Sequence, residues 1–138
     1  MITQQRIDIV FAALCAWREA QGEVEAGKIA VLCVIRNRVR KNWIHDSNFQ
    51  DVCCHPWQFS AMTARGDPNL IKWPDSKDLA WLDCIRLAEL IVTDRISDQT
   101  GGSEFYHDAS ISGPPAGWGS VEEQARIGRL VFYRGTKV

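Results

Sequence analysis

No stretch of this chain approaches the roughly 20 consecutive apolar residues that a helix needs to cross a bilayer. The longest apolar run, Ile29 to Ile35, is far shorter, so membrane insertion is not expected. Neither sign of charge prevails, since 16 basic side chains face 17 acidic ones for a formal net charge of -1. Without a broad positive field to hold a polyanion, nucleic acid is excluded as the main partner. The opening residues, Met1 to Arg6, lack the positive region and apolar core of a secretion signal, and synthesis and folding in the cytoplasm are expected. An even set of cysteines is lacking as well: the five stand at Cys15, Cys33, Cys53, Cys54 and Cys84. Cys15, Cys33 and Cys84 fall inside apolar helical patterns and read as small buried hydrophobes with free thiols, not as a disulfide framework. Repeats, low-complexity tracts and long linkers are also missing. The 138 residues, 46% of them hydrophobic, therefore point to one domain covering 1–138.

What is present is mostly helical patterning. From Thr3 to Arg18 the apolar residues Ile7, Val10, Phe11, Leu14 and Trp17 mark one face of an amphipathic helix, with Thr3 as its N-cap. Glu19 projects beyond the edge of that stripe toward a surface, and Gly22 ends the helix. A second helix is expected from Val24 to Lys41, and its middle, Ala30 to Ile35, is apolar all round, as in a buried central helix. Asn42 to Pro74, rich in Trp, Asp, Pro and His, reads as a long functional loop with at most short pieces of helix or strand. A third helix, capped by Asp75 or Ser76, carries Ala80, Trp81, Cys84, Leu87, Ala88 and Ile91 on one face. Phe105 to His107 suggests a short strand, followed by a Pro/Gly loop to Trp118, a short helix, and a last apolar segment at Leu130 to Tyr133. The sum is an α+β, mainly helical domain with a buried central helix and a few short strands.

The segment Glu19-Ala20-Gln21-Gly22-Glu23 sets two carboxylates four apart across a glycine. An ordinary solvated helix end carries glutamates too, yet the negative end of a helix dipole disfavours an ionised Glu19 and raises its pKa. A carboxyl group kept protonated near neutral pH is what a glycosidase needs to protonate a leaving oxygen. Trp57-Gln58-Phe59-Ser60 and Phe105-Tyr106-His107-Asp108 combine aromatic faces with amide, hydroxyl and imidazole groups, a mix that suits sugar rings. Phe59 and Phe105 read equally well as core anchors.

His45, Cys53, Cys54 and His55 are competent zinc ligands, but their spacing matches no ligand pattern, and no metal or other cofactor is expected. A Cys54 nucleophile with His107 is conceivable, although nothing in the sequence brings the two together.

Together with Gly27, Ile29 to Asn37-Arg38-Val39, Gly101-Gly102, Pro115 to Trp118, Ile127-Gly128 and Val131-Phe132-Tyr133, these segments resemble in order and spacing the SleB-type cell wall hydrolases, the spore cortex-lytic family. The likeness runs from residue 10 to 134, with Leu130 where relatives often carry His and an atypical segment around Trp73. It implies a lysozyme-like fold of the lytic transglycosylase type, bacterial peptidoglycan as partner, and Glu19 as the catalytic residue. Glu23, Gln58, Phe59, Ser60, Tyr106 and His107 are the expected substrate-groove residues. The implied reaction cleaves the β-1,4 bond from N-acetylmuramic acid to N-acetylglucosamine and closes a 1,6-anhydro ring. Alternatives are a hydrolytic muramidase, with Glu23 or Asp108 as second carboxylate, and a non-catalytic glycan-binding or virion structural protein. An amidase or peptidase would want a metal or cysteine site. A monomer is expected, and a lone catalytic domain without an export signal resembles a phage endolysin released onto the wall.

Overall fold

The structure, a computed structural model, describes residues 2–56 and 58–136. Helix α1 (Gln4–Glu19) starts where the Thr3 hydroxyl accepts the Arg6 N–H, and it ends as Ala20 donates to the Ala16 carbonyl before Gly22 turns the chain at φ 77°. Its inward face differs from the expected stripe. Val10 is 54% exposed, whereas the buried line runs through Asp8, Ala12, Cys15 and Ala16 and leads on to Glu19. The reason is that α1 is covered on several sides, by the helices at Leu79–Val92, Phe49–Cys54, Glu25–Arg40 and Ser60–Thr63. Small side chains sit where the helices approach closest, and Ile7, Phe11 and Trp17 fill the half-buried margins.

Helix α2 (Glu25–Arg40) is the central one. Every residue from Ala30 to Ile35 is fully buried, as its all-round apolar middle requires. Two short helices, α3 (Phe49–Cys54) and α4 (Ser60–Thr63), interrupt the long connection that follows. Helix α5 (Leu79–Val92) buries Cys84, Leu87, Ala88 and Ile91 against α1 and α2. Its cap is Asp78, which accepts the Ala80 and Trp81 N–H groups, and not Asp75 or Ser76: Asp75 instead closes its own turn by accepting the Lys77 N–H.

The sheet has three antiparallel strands, β1 (Phe105–Asp108), β2 (Val121–Ile127) and β3 (Leu130–Gly135), in the order β1-β3-β2. A strand thus replaces the short helix expected after Trp118. Gly128 at φ 59° opens a two-residue connection between Ile127 and Leu130, and Val131, Phe132 and Tyr133 make β3 a buried central strand on which β2 pairs. β1 is set in register with Phe105 opposite Tyr133 and His107 opposite Val131. The loop before it is tied to α2, because Asn37 donates to the Ser103 carbonyl at 2.9 Å and to Asp98, whose carboxylate in turn accepts the Thr100 and Gly102 N–H groups. The mainly helical α+β expectation therefore holds.

Candidate active site

Glu19 ends α1 between two donors from distant parts of the chain. Its Oε1 accepts the Tyr106 hydroxyl of β1 at 2.9 Å, and its Oε2 accepts the Ala61 N–H of α4 at 3.3 Å. The pKa of Glu19 is raised, with burial the leading cause. The hydrogen bonds from Tyr106 and Ala61 and the charge of Arg38 pull it back, while the charge of Asp67 pushes it further up. The direction is the one expected from the sequence, with burial as its largest cause. Tyr106 is itself pushed well up by burial and by the charge of Glu19, so its hydroxyl keeps the proton that it donates.

Arg38 lies beneath. Its side chain is buried on α2, donates to the Glu104 carbonyl at 2.8 Å, and stacks its guanidinium 4.2 Å from the Trp43 ring centre and 5.0 Å from that of Phe59. Burial also lowers its pKa, with nearby Tyr106 and Glu104 opposing that shift.

Glu19, Tyr106 and Arg38 open into a cleft of about 500 Å³, within the range of small-ligand sites. Gln58 and Phe59 form one side, and Phe105, Trp118 and Trp43 form an aromatic wall. Phe105 and Trp118 stack with centroids 5.0 Å apart and planes 26° apart, and Trp43 meets Phe105 edge-on at 5.8 Å. A short 3-10 turn, Ala116–Trp118, carries Trp118 to this wall. The site thus offers one carboxyl of raised pKa, held by two hydrogen bonds, beside flat apolar faces.

Residues 22–133 match the model of the cell wall hydrolase family. The chain belongs to that family. In fold it matches the crystal structure of the catalytic domain of Bacillus cereus SleB with a TM-score of 0.69 at 22% identity, over 96% of this chain and 91% of that one. The catalytic domain of the germination-specific lytic transglycosylase SleB from Bacillus anthracis matches with a TM-score of 0.68 at 24% identity, over 95% of each chain. No curated protein matches the chain in sequence. The family match begins at Gly22 and so does not include Glu19.

Of the residues expected in a groove of this family, Glu19, Gln58, Phe59 and Tyr106 meet in the cleft. The other three stand elsewhere. Glu23 does not line the cleft. Its carboxylate, 5% exposed, pairs with Arg129 at 3.0 Å and accepts the Arg129 N–H, clasping the α1–α2 turn to the β2–β3 hairpin. That clasp explains two glycines: a Cβ on Gly128 would stand 2.7 Å from Glu23 Oε1, and one on Gly27 3.0 Å. Ser60 opens α4 and donates to Asp67 at 2.7 Å, next to Ala61 but off the cleft. His107 alternates with Tyr106 on β1, so it turns away from Glu19, is buried, and bonds the Tyr133 hydroxyl at 2.9 Å. Trp57 lies outside the described residues. Asp108, the other candidate carboxylate, accepts the Ser110 N–H and does not line the cleft. Among the described residues His45, Cys53, Cys54 and His55 form no metal-binding group; His55 pairs with Asp46, and Cys53 is buried against Cys15.

Sequence reasoning did not assign Arg38, Trp43, Trp118 or Asp67 to the site, although Arg38 and Trp118 fall in segments that carry the family resemblance. Arg38 carried one local signal, its place directly after the apolar middle of α2, where Arg36, Asn37 and Arg38 are all buried. For Asp67 there was none, because only the fold brings it near Glu19.

Proposed function

We propose that this cell wall hydrolase cleaves the glycan strand of peptidoglycan, at the bond between N-acetylmuramic acid and N-acetylglucosamine, with Glu19 as the acid. The carrying observation is the half-buried Glu19 carboxyl of raised pKa facing an aromatic-walled cleft. Protonated, it donates to the glycosidic oxygen as that bond breaks and an oxocarbenium-like charge grows on the muramic sugar. Glu19 is then a carboxylate, stabilised by the donors Tyr106 and Ala61 and by the positive charge of Arg38. It takes the proton of the muramic C6 hydroxyl, whose oxygen attacks C1 and closes the 1,6-anhydro ring. The acid is thereby restored, with no water consumed. Supporting this outcome over hydrolysis, Glu19 is the sole carboxylate among the described residues that line the cleft.

One observation favours a hydrolytic variant. Asp67 lies close enough for its charge to raise the Glu19 pKa, and it is kept ionised by hydrogen bonds from the Ser60 hydroxyl and the Asn69 N–H. It would serve as the base for an attacking water. Mass analysis of fragments from purified sacculi separates the two: anhydro ends support ring closure, and ends reducible by borohydride with loss of activity in Asp67→Asn support hydrolysis. Fragments cut only in the stem peptides contradict both.

A further inference from the structure

Cys15 of α1 and Cys53 of α3 stand side by side in the core. Both are fully buried, and their thiols lie within hydrogen-bonding reach of each other. The contact follows from how the two helices pack. Near the start of α3 the Gln50 N–H donates to Asp8 Oδ1 at 3.1 Å, and Gln4 of α1 donates to the Gln50 side chain at 3.2 Å. Cys15 lies two turns beyond Asp8 on the same face of α1, and Cys53 lies one turn beyond Gln50 on the same face of α3. The pairing that starts at Asp8 and Gln50 thus ends with the two sulfurs together. The other cysteines are placed differently. Cys54 is exposed, since the next residue of a helix points about 100° away. Cys33 neighbours Asp98, and Cys84 neighbours Asp83 and Lys28. We propose that Cys15 and Cys53 are a latent disulfide, two thiols that close on each other when a low-molecular-weight disulfide of the glutathione class oxidises them.

Burial keeps the Cys15 thiol protonated in the closed fold, and the neighbouring Cys53 and Glu19 push in the same direction. Closing therefore begins in an opened form, and α3, only six residues long, is the element that opens by local unfolding. Once α3 lifts from α1, Cys53 meets water and ionises. Its thiolate attacks one sulfur of the oxidant and expels the other as a thiolate, leaving a mixed disulfide on Cys53. When α3 docks again, the Cys15 thiolate attacks the Cys53 sulfur and expels the second half of the oxidant. Two protein thiols lose two electrons and two protons, and the oxidant becomes two thiols. The bond formed joins the two sides of the cleft. Cys15 lies one turn before Glu19, and Cys53 leads into the segment that carries Gln58, Phe59 and the Ala61 N–H bonded to Glu19. It also closes the stretch from 15 to 53, all of α2 included, into a loop, which removes freedom from the unfolded chain.

The test is incubation of the whole wild-type protein with oxidised glutathione, with and without urea below the unfolding midpoint. The remaining thiols are then alkylated and the peptides mapped without reduction. A cross-linked peptide pair containing Cys15 and Cys53 is expected, with Cys33 and Cys84 alkylated. The oxidised protein should melt on the order of 10 °C higher, and dithiothreitol should erase the rise. Cys15→Ala and Cys53→Ala, treated in the same way, should show no rise. Cys54→Ser, which cannot carry a mixed disulfide at the exposed position, should show the full rise. Glutathione on Cys54 with Cys15 and Cys53 both alkylated overturns the proposal. So does a bridge between any other two cysteines, the absence of any bridge with and without urea, or a bridge from Cys15 to Cys53 that lowers the melting temperature.

Discussion

The Tyr106 hydroxyl donates to Glu19 Oε1 at 2.9 Å across 87 positions of sequence, joining the end of the first helix to the first strand. This bond stabilises the carboxylate form and orients it. Tyr106→Phe should therefore move the basic limb of the pH–activity profile upward, because the donor that lowers the Glu19 pKa is lost. The maximal rate should fall by roughly tenfold or more, the worth of a hydrogen bond to a charged group. A profile that keeps its limb, or moves it down, contradicts this role.

Burial of Glu19 also affects stability. Its raised pKa means that the folded protein holds this proton more tightly than the unfolded chain, in which a glutamate titrates near about 4.3. The stabilising contribution is complete below the unfolded value and is lost as pH rises through the folded one. Glu19→Gln removes that loss, so the variant should melt above the wild type at neutral pH, with the gain shrinking toward about pH 4. Thermal melts across pH check the sign; a variant less stable than the wild type at neutral pH contradicts it.

Arg38 supports the cleft from inside. Arg38→Met should cost about 2 kcal/mol of stability, since the Glu104 carbonyl loses its donor and three aromatic rings lose a stacked cation. It should also shift the basic limb upward, because the Arg38 charge lowers the Glu19 pKa. Arg38→Lys keeps the charge without the planar fork, so it should restore the pH limb better than the stability. Denaturant unfolding and a pH–rate series together read both effects.

Glu23 is a clasp in this structure. Glu23→Gln should lower stability by about 1 kcal/mol, since the pair has one buried partner and one largely exposed partner, Arg129, that water screens. Turnover should stay within about twofold, since removal of an off-site contact leaves transition-state binding unchanged. A large loss of kcat with normal stability would return Glu23 to the substrate groove.

How much of this was legible in the sequence follows from how local each signal is. Thr3, Gly22 and the uninterrupted apolar Ala30–Ile35 announce α1, its end and the buried α2 through contacts within a few residues. Glu19 could be picked out for the same reason, as an acid at a helix terminus. Strand β2 was missed because Val121–Ile127 carries only a weak alternation, broken by a bulge at Glu123/Ala125, and depends on pairing with β3. The small-residue face of α1 was missed because the apolar stripe reports the largest side chains, whereas close helix packing selects Ala12, Cys15 and Ala16. Adjacent motif residues separate in the fold: on a strand Tyr106 and His107 face opposite ways, so one reaches Glu19 and the other Tyr133. The aromatic wall joins rings from positions 43, 105 and 118, a proximity that no local pattern encodes.

The most direct test of Glu19 as the acid is the rate at which purified sacculi are cleared by wild-type protein and by Glu19→Gln at equal concentration, each first verified as folded by thermal melting. With the sole carboxyl among the described residues lining the cleft replaced by an amide, the variant should clear sacculi at least about 100-fold more slowly, the lower end of what general acid–base catalysis contributes, and should release no anhydro-ended fragments. Clearing within a few-fold of the wild-type rate would contradict the assignment.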